Sequence, residues 1–557
     1  METWDLSHEL ITGIQACKDR GLLHSSKWLS ELLYTLDDKN AVCIPTPKKS
    51  ILDETSEVQM EDVSQDRTFI LSKCYFDLKE YDRCAYFSKK LKTKKGKFLY
   101  WYSQYLSGEK KRIEDMSESE MTTENMNLQH LTELKQELSA AYKKMSLDAW
   151  SLYLYGIVLK KLRILDEAYN ILLEAINLEP IHWGAWLELA GLIKSKTELM
   201  SLAVPDSWIK KFFVGHSLLE MQRNEEALDI YDSLKAEGFS KSIYIAAQIA
   251  MAYHNMRDTD SAMVAFDEVV EADPMRLESM DVYSNVLYVR EMRVQLADLA
   301  HRANSIDKYK PETCCIIGNY YGLRQQHEKA VLYFRRALKL NPGYLAAWTL
   351  MGHEYLEIKN TNAAIQCYRN ALEISTQDYR AWYGLGQTYE VLKLYHYSLH
   401  YYRQAAVLRP NDSRMVVALG DIYEKLELYD EAAKCYWKAR CLGDIEAIAL
   451  HNLARLYEKQ KDKEKAANAY QAYLKLLDSG AEDQKPSVQQ LEAELFLARY
   501  SLDKGSLEEA FTYAQKCCAY PECRESAKAI LKEITQERAK LSDSIRMDES
   551  LEITTSD

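Results

Sequence analysis

Glycine and proline are scarce, 19 and 10 among 557 residues, well below what a turn-dense sheet protein or a low-complexity chain carries. Long apolar runs are missing too. Nowhere do about eighteen apolar residues follow one another, the length a membrane-spanning helix needs. The opening METWDLSHEL has no basic stretch followed by an apolar one, so neither secretion nor a membrane partner is expected. The twelve cysteines include no CxxC pair, which argues against zinc or redox chemistry. They sit beside apolar and small residues and read as reduced core thiols. Positive charge is not in excess either: 71 lysines and arginines face 84 acidic residues, a net charge of −13. No overall basic field exists to release counterions from phosphates, and no nucleic-acid partner is expected. One basic run, Lys89 to Lys97 followed by Lys110, Lys111 and Arg112, reads as a solvated helix end and loop, and no function is placed on it.

What is present is aromatic, apolar and periodic. Apolar residues make up 47% of the chain and tyrosines number 39, which suits long helices packed through large side chains. A chain of 557 residues exceeds what one core serves, so it is either several domains or an elongated array. Self-similarity decides for the array. From Pro311 to Gly480 the sequence divides into five consecutive blocks of 34 residues with no insertion or deletion, the period of tetratricopeptide repeats. The block at Leu345 has Trp348, Met351, Gly352, Tyr355, Ala364, Tyr368 and Ala371 at the pattern's large and small positions. The block before it has Ile317, Gly318, Tyr321, Ala330, Phe334, Ala337 and Pro342. Blocks at Tyr379, Ser413 and Ala447 keep register, and Ile243 and Leu277 open two earlier ones, the second degenerate.

The fold class expected is all-α, a tetratricopeptide-repeat superhelical solenoid of antiparallel helix pairs. Its organisation reads as follows. Residues 1–148 are an N-terminal helical region of degenerate units, and 149–242 hold irregular units. Residues 243–480 form seven in-register units, 488–541 a last unit with a capping helix, and 542–557 a polar tail expected to be disordered. Four segments fail every periodic test and read as loops: about 37–64, 108–126, 195–206 and 479–487.

Catalytic motifs do not survive inspection. Gly384, Gly386 and Tyr389 imitate a phosphate loop but lack its third glycine and lie inside a repeat's first helix. His353 and Glu354 begin a zincin pattern that Glu357 breaks, and His396 and His400 have no third ligand. No GxSxG, Walker or kinase signature occurs, so neither an enzyme nor a cofactor is expected. What remains is an inner groove, lined in such stacks by positions near 2, 5, 9 and 12 of each unit. Those positions hold Tyr244, His254, Asp281, Asn285, Tyr288, Asn319, His353, Arg380, Tyr383, Gln387, Glu390, Arg414, Asp421 and Glu424. Such amide, aromatic and acidic groups suit an extended peptide, with carboxylates receiving an arginine. An ordinary solvated groove has the same composition. Thr46, between Pro45 and Pro47 with Lys48 and Lys49 downstream, is a candidate phosphorylation site for a proline-directed kinase.

Several strings depart from the loose repeat consensus. They are RGLLHSSKW (Arg20 to Trp28), YFDLKEYDR (Tyr75 to Arg83), YLSGEKK (Tyr105 to Lys111), HWGAWLEL (His182 to Leu189), IDKYKPETCCIIGNYYGLRQQHEKA (Ile306 to Ala330), AWTLMGHEY (Ala347 to Tyr355), DYRAWYGLGQTYE (Asp378 to Glu390) and LRPNDSRM (Leu408 to Met415). In these the chain resembles the subunit 8 family of the anaphase-promoting complex, the large ubiquitin ligase of mitosis. The resemblance implies a non-catalytic scaffold of nucleus and cytoplasm that forms a homodimer through its N-terminal repeats. It also implies partners among the other tetratricopeptide-repeat and scaffold subunits, and a WD-repeat coactivator whose arginine-containing segment enters the groove. The groove residues it implies are Asn319 and Glu354, the latter at position 10, one step from the lining positions. The alternative from another class is a co-chaperone or transport adaptor that captures peptide tails.

Overall fold

The 34-residue spacing emerges as helix starts at Pro311, Leu345, Tyr379, Ser413 and Ile448. A computed structural model describes residues 3–36, 60–118, 129–193, 195–443, 447–478, 487–520 and 523–554, and every regular element among them is helical. The chain divides into two compact units, Met1–Ala347 and Trp348–Asp557.

The first unit holds α1 (Thr3–Arg20), α2 (Leu23–Thr35), α3 (Met60–Asp77), α4 (Tyr81–Ser88), α5 (Lys94–Glu118), α6 (Gln129–Lys143), α7 (Ala149–Lys161), α8 (Leu165–Leu178), α9 (Trp183–Ala190), α10 (Lys196–Ser201), α11 (Trp208–Glu220) and α12 (Asn224–Leu234), which ends in a π-helical turn. It continues with α13 (Ile243–Met256), α14 (Thr259–Ala272), α15 (Met280–Val289), α16 (Arg293–Ile306), α17 (Pro311–Leu323) and α18 (His327–Leu340). The second unit takes most of α19 (Leu345–Glu357), then α20 (Thr361–Ile374), α21 (Tyr379–Val391), α22 (Tyr395–Leu408), α23 (Ser413–Lys425), α24 (Tyr429–Cys441), α25 (Ile448–Lys459), α26 (Lys463–Asp478), α27 (Val488–Asp503), α28 (Leu507–Cys518) and α29 (Arg524–Thr554).

Local chemistry sets the ends of these helices. Asp258, Asn360, Asp378 and Asp412 each accept a backbone N–H from the first turn of the helix they precede, satisfying donors that would otherwise be orphaned. At the other end Gln325, Lys359, Lys393, Glu427 and Lys461 take left-handed backbone, φ 59° to 67°. The next residue then donates back to a tyrosine carbonyl, as Asn360 N does to Tyr355 O at 2.8 Å and Leu394 N to Tyr389 O at 2.9 Å. That Schellman-type closure turns the chain sharply enough to bring two helices antiparallel.

Glycine at the eighth position lets the pair close. A Cβ on Gly318 would stand 2.6 Å from the Phe334 ring, and the same distance separates Gly352 from Tyr368, Gly386 from Tyr402 and Gly420 from Tyr436. In all four pairs the glycine and the ring are sixteen residues apart, so the aromatic of the second helix seats on the bare backbone of the first. Phe334, Tyr368, Tyr402 and Tyr436 are almost wholly buried.

In the first unit α2 packs against α9 and α13. Trp28 stacks on Trp183 at 4.3 Å and on Trp208 at 6.1 Å, with Phe212 and Tyr244 edge-on at 5.5 and 5.9 Å. Tyr244, expected to line an open groove, is therefore covered by the chain's own N-terminal hairpin. Ion pairs fasten the same helix. Lys27 pairs with Glu278, and Glu31 lies 3.7 Å from Arg276. Both partners sit in the turn before α15, which starts at Met280 rather than at Leu277. The degenerate opening of that repeat is thus the stretch to which α2 is fastened.

Three expectations need correction. The loop read over 108–126 is helical through Glu118, because Glu109, 8% exposed, is held by Lys161 at 2.6 Å and Arg112 at 2.8 Å; charged residues at buried positions hide the apolar period. Residues 196–201 form the short α10 within the loop expected at 195–206. The last helix continues past Leu541 to Thr554 where a disordered tail was expected, and no glycine or proline interrupts that stretch. The cysteines are also less uniformly internal than expected: Cys74 and Cys441 are exposed. Of the loops expected at about 37–64 and 479–487, residues 37–59 and 479–486, Thr46 among them, lie outside the described residues, while the chain from Met60 onward is already helical.

Candidate functional site

On the first unit, Asn319 of α17 is 3% exposed and anchored to α15. Its Nδ2 donates to Ser284 Oγ at 2.8 Å and to Asn285 Oδ1 at 2.7 Å. Beside them Tyr344 Oη donates to Asp281 Oδ2 at 2.7 Å. Phe334, the aromatic behind Asn319, has no hydroxyl, so the amide is held from the preceding unit instead. The two asparagines expected in the groove thus form one fixed pair, with amide groups ordered before any ligand arrives.

The second unit uses another device. Here the aromatic behind α19, α21 and α23 is tyrosine, and its hydroxyl reaches residues of that first helix. Tyr368 Oη is 2.9 Å from His353 Nδ1, and Tyr402 Oη donates to Glu390 Oε2 at 2.8 Å. Tyr436 Oη reaches Asp421 Oδ1 at 2.7 Å and Glu424 Oε2 at 3.1 Å. Neighbouring units add to this. Lys425 Nζ pairs with Glu390, Lys459 Nζ with Glu424, and Asn452 Nδ2 donates to Asp421 Oδ1 at 2.9 Å. No lysine or arginine lies within ion-pair distance of Asp421 among the described residues.

Tyr383, Gln387, Glu390, Tyr402, Asp421 and Lys425 line a pocket of about 420 Å³. Burial pushes the Asp421 carboxyl above its ordinary value and the hydrogen bond from Tyr436 pulls it back. Enclosure lowers His353 to about 4, with the Arg380 charge acting the same way. Of the residues expected in the groove, Tyr383, Gln387 and Asp421 are brought together here. Arg380 is not among the pocket's lining; its Nε lies 3.4 Å from Tyr379 Oη. Glu354 is 5% exposed on α19, as its position 10 implies, and does not line the pocket.

Sequence reasoning missed Tyr402, Tyr436, Lys425, Lys459 and Asn452. The signal was available for the first two, since tyrosine rather than phenylalanine recurs at the packing position of successive units. Among the described residues no group of metal-ligating side chains is close enough to hold an ion, and no helix is long and apolar enough to cross a membrane.

Comparison with known proteins follows from this geometry. The sequence model for anaphase-promoting complex subunit 8 / Cdc23 matches residues 5–250, and tetratricopeptide-repeat models match 244–274, 311–344, 352–392, 413–439 and 449–484. Over 416 residues the chain is 40% identical to anaphase-promoting complex subunit 8 of Dictyostelium discoideum, covering 64% of this chain and 69% of that one. The chain belongs to the anaphase-promoting complex subunit 8 family. The Arabidopsis thaliana member of the family is 40% identical over 384 residues, 64% of this chain and 66% of its own length. The cell division cycle protein 23 homolog of Homo sapiens is 50% identical over 294 residues, 52% of this chain and 48% of its own. The chain thus matches about two thirds of the first two family members and about half of the third. A crystal structure of the APC/C hetero-tetramer Cut9-Hcn1 aligns with a TM-score of 0.50 at 18% identity, over 85% of this chain and 98% of that one, a likeness of fold. The tetratricopeptide-repeat solenoid expected from the 34-residue period is the fold the family and the structure share.

Proposed function

We propose that the chain is a non-catalytic scaffold subunit of the anaphase-promoting complex, acting in cell-cycle control of protein degradation in nucleus and cytoplasm. Family membership is the observation that carries this reading. In it, the N-terminal region 1–148 serves a homodimer, the repeat units hold the other tetratricopeptide-repeat and scaffold subunits, and the groove docks the arginine-containing segment of a WD-repeat coactivator. The ordered amides of Asn285 and Asn319 and the part-buried carboxylates of the second unit support the docking role. The amides of the first unit suit a peptide backbone, and the carboxylates of the second, taken by themselves, suit a basic side chain. The absence of any recognisable nucleophile or metal-ligand motif in the sequence supports a role in holding partners rather than in catalysis.

The test is affinity purification of the tagged full chain from dividing cells, with its partners identified by mass spectrometry and the oligomeric state of the purified chain measured by light scattering. Recovery of the ligase's subunits and a dimeric mass are the expected results. Recovery of chaperones or transport factors without ligase subunits would instead establish the adaptor alternative.

A further inference from the structure

The tyrosines behind the groove are ordinarily counted as packing residues, and their rings do pack: Tyr402 and Tyr436 are 1% and 0% exposed. Each ring seats on a glycine of the facing helix, and its hydroxyl then ends at carboxylates one or four residues further along that same helix. We infer that Tyr402 and Tyr436 are positioning residues of the groove, fixing Glu390, Asp421 and Glu424 in place, and keeping Asp421 ionised, for a basic side chain of a bound peptide. The inference rests on the docking role proposed above.

A phenol donating to a carboxylate favours the charged form and fixes one oxygen. Tyr436 contacts Asp421 and Glu424 together, so one hydroxyl orients two carboxylates, one turn apart on α23. Asp421 is the group most in need of that help. It is faced by Glu390 from α21, Tyr402 from α22, Tyr436 from α24 and Asn452 from α25, with Glu424 and Lys425 on its own helix. Two neighbouring carboxylates and burial favour its protonation; Lys425 and the Tyr436 hydroxyl oppose them. Lys459 and Arg455 of α25 act on Glu424, leaving Asp421 as the carboxylate with no ion pair and the natural receiver of an incoming cation.

The phenylalanine analogues separate this role from packing, because they keep the ring on its glycine and remove only the hydroxyl. The experiment measures binding of a fluorescent peptide from the coactivator's arginine-containing segment, and of its citrulline twin, to the full chain from pH 5 to 8. Wild type, Tyr436→Phe and Tyr402→Phe are compared, with Tyr470→Phe as control. Tyr470 holds the same repeat position, sixteen residues after Ala454 rather than after a glycine; its hydroxyl is 3.4 Å from Glu458, and Glu458, unlike Glu390 and Asp421, does not line the pocket.

Tyr436→Phe is expected to weaken the arginine peptide roughly three- to tenfold, less than a direct hydrogen bond to a charged group is worth because the hydroxyl acts on the peptide only through the carboxylates. Its binding should also begin to fail at a higher pH than wild type as acid is added, while the citrulline peptide is unaffected. Tyr402→Phe should act in the same direction and Tyr470→Phe should match wild type. A Tyr436→Phe protein with unchanged affinity, or with weakened affinity and an unshifted pH profile, overturns the positioning role. If wild type itself does not prefer arginine to citrulline, the docking role fails and this inference with it. Should Tyr436→Phe not fold, Tyr402→Phe carries the same decision.

Discussion

A Cβ placed on Gly352 would stand 2.6 Å from Cε1 of Tyr368, closer than side-chain atoms approach one another. In an exposed helix Gly→Ala would gain about 1 kcal/mol from propensity. Here the added carbon forces the ring or the helix to move, at a cost of about 1–3 kcal/mol. Gly352→Ala is therefore expected to lower Tm, with Gly386→Ala and Gly420→Ala doing the same. Thermal unfolding of the three variants checks it, and a raised Tm would show that the helix pair tolerates a wider separation.

Trp28 lies between Trp183 and Trp208 and is 6% exposed. Trp28→Ala removes the ring that holds α2 on α9 and α13, and should destabilise the first unit by about 3–5 kcal/mol. Limited proteolysis is the local reporter. Cleavage within α2 should become much faster in the variant, while fragments from the second unit appear at the wild-type rate.

Acid should act through buried histidines. His182 is 2% exposed between Trp150 and Tyr153, and burial lowers it to about 3; His353 is lowered to about 4. Both are depressed from 6.5, so the unfolded chain binds protons that the folded chain does not. Their contribution is complete above pH 6.5 and is lost as pH falls toward 4 and then 3. His182→Phe should flatten the fall of Tm across that window. An unchanged pH dependence in the variant would assign the acid sensitivity to other groups.

Lys425 and Lys459 pair with Glu390 and Glu424 while remaining 43% and 53% exposed. Exposed pairs contribute about 0–1 kcal/mol, so alanine at either position should leave Tm within a degree or two, by about that amount. The groove becomes more negative, however, and capture of a basic peptide should tighten at low salt and weaken more steeply as salt rises. Titrations at several salt concentrations read both effects.

How far the sequence foretold this molecule depends on which residues carried the signal. The in-register units were legible because glycine and the aromatic that seats on it recur at fixed spacing, as at Gly318 and Phe334. The irregular N-terminal part of the first unit was not, since its order rests on pairings distant in sequence: Trp28 with Trp183, Lys27 with Glu278, Glu109 with Lys161. No local period encodes those. In the groove, counting positions found Asp421, Tyr383 and Gln387 on one pocket. It placed Arg380 there too, although that side chain lies beside Tyr379 instead. It overlooked Tyr436 because that residue belongs to the second helix of its pair while its hydroxyl reaches Asp421 and Glu424 on the first, a relation between helices that counting along one helix cannot express.

The central claim is that the repeat array holds the ligase's other subunits while its groove holds the coactivator. The most direct measurement is a pull-down from mitotic extract comparing the wild-type chain with an Asn319→Ala, Glu354→Ala double variant, after confirming that the variant's helical content and Tm match wild type. The account predicts that both proteins recover the ligase subunits and that only wild type recovers the coactivator. Equal recovery of coactivator by the two proteins would contradict the groove's role, and failure of wild type to recover ligase subunits would contradict the scaffold role itself.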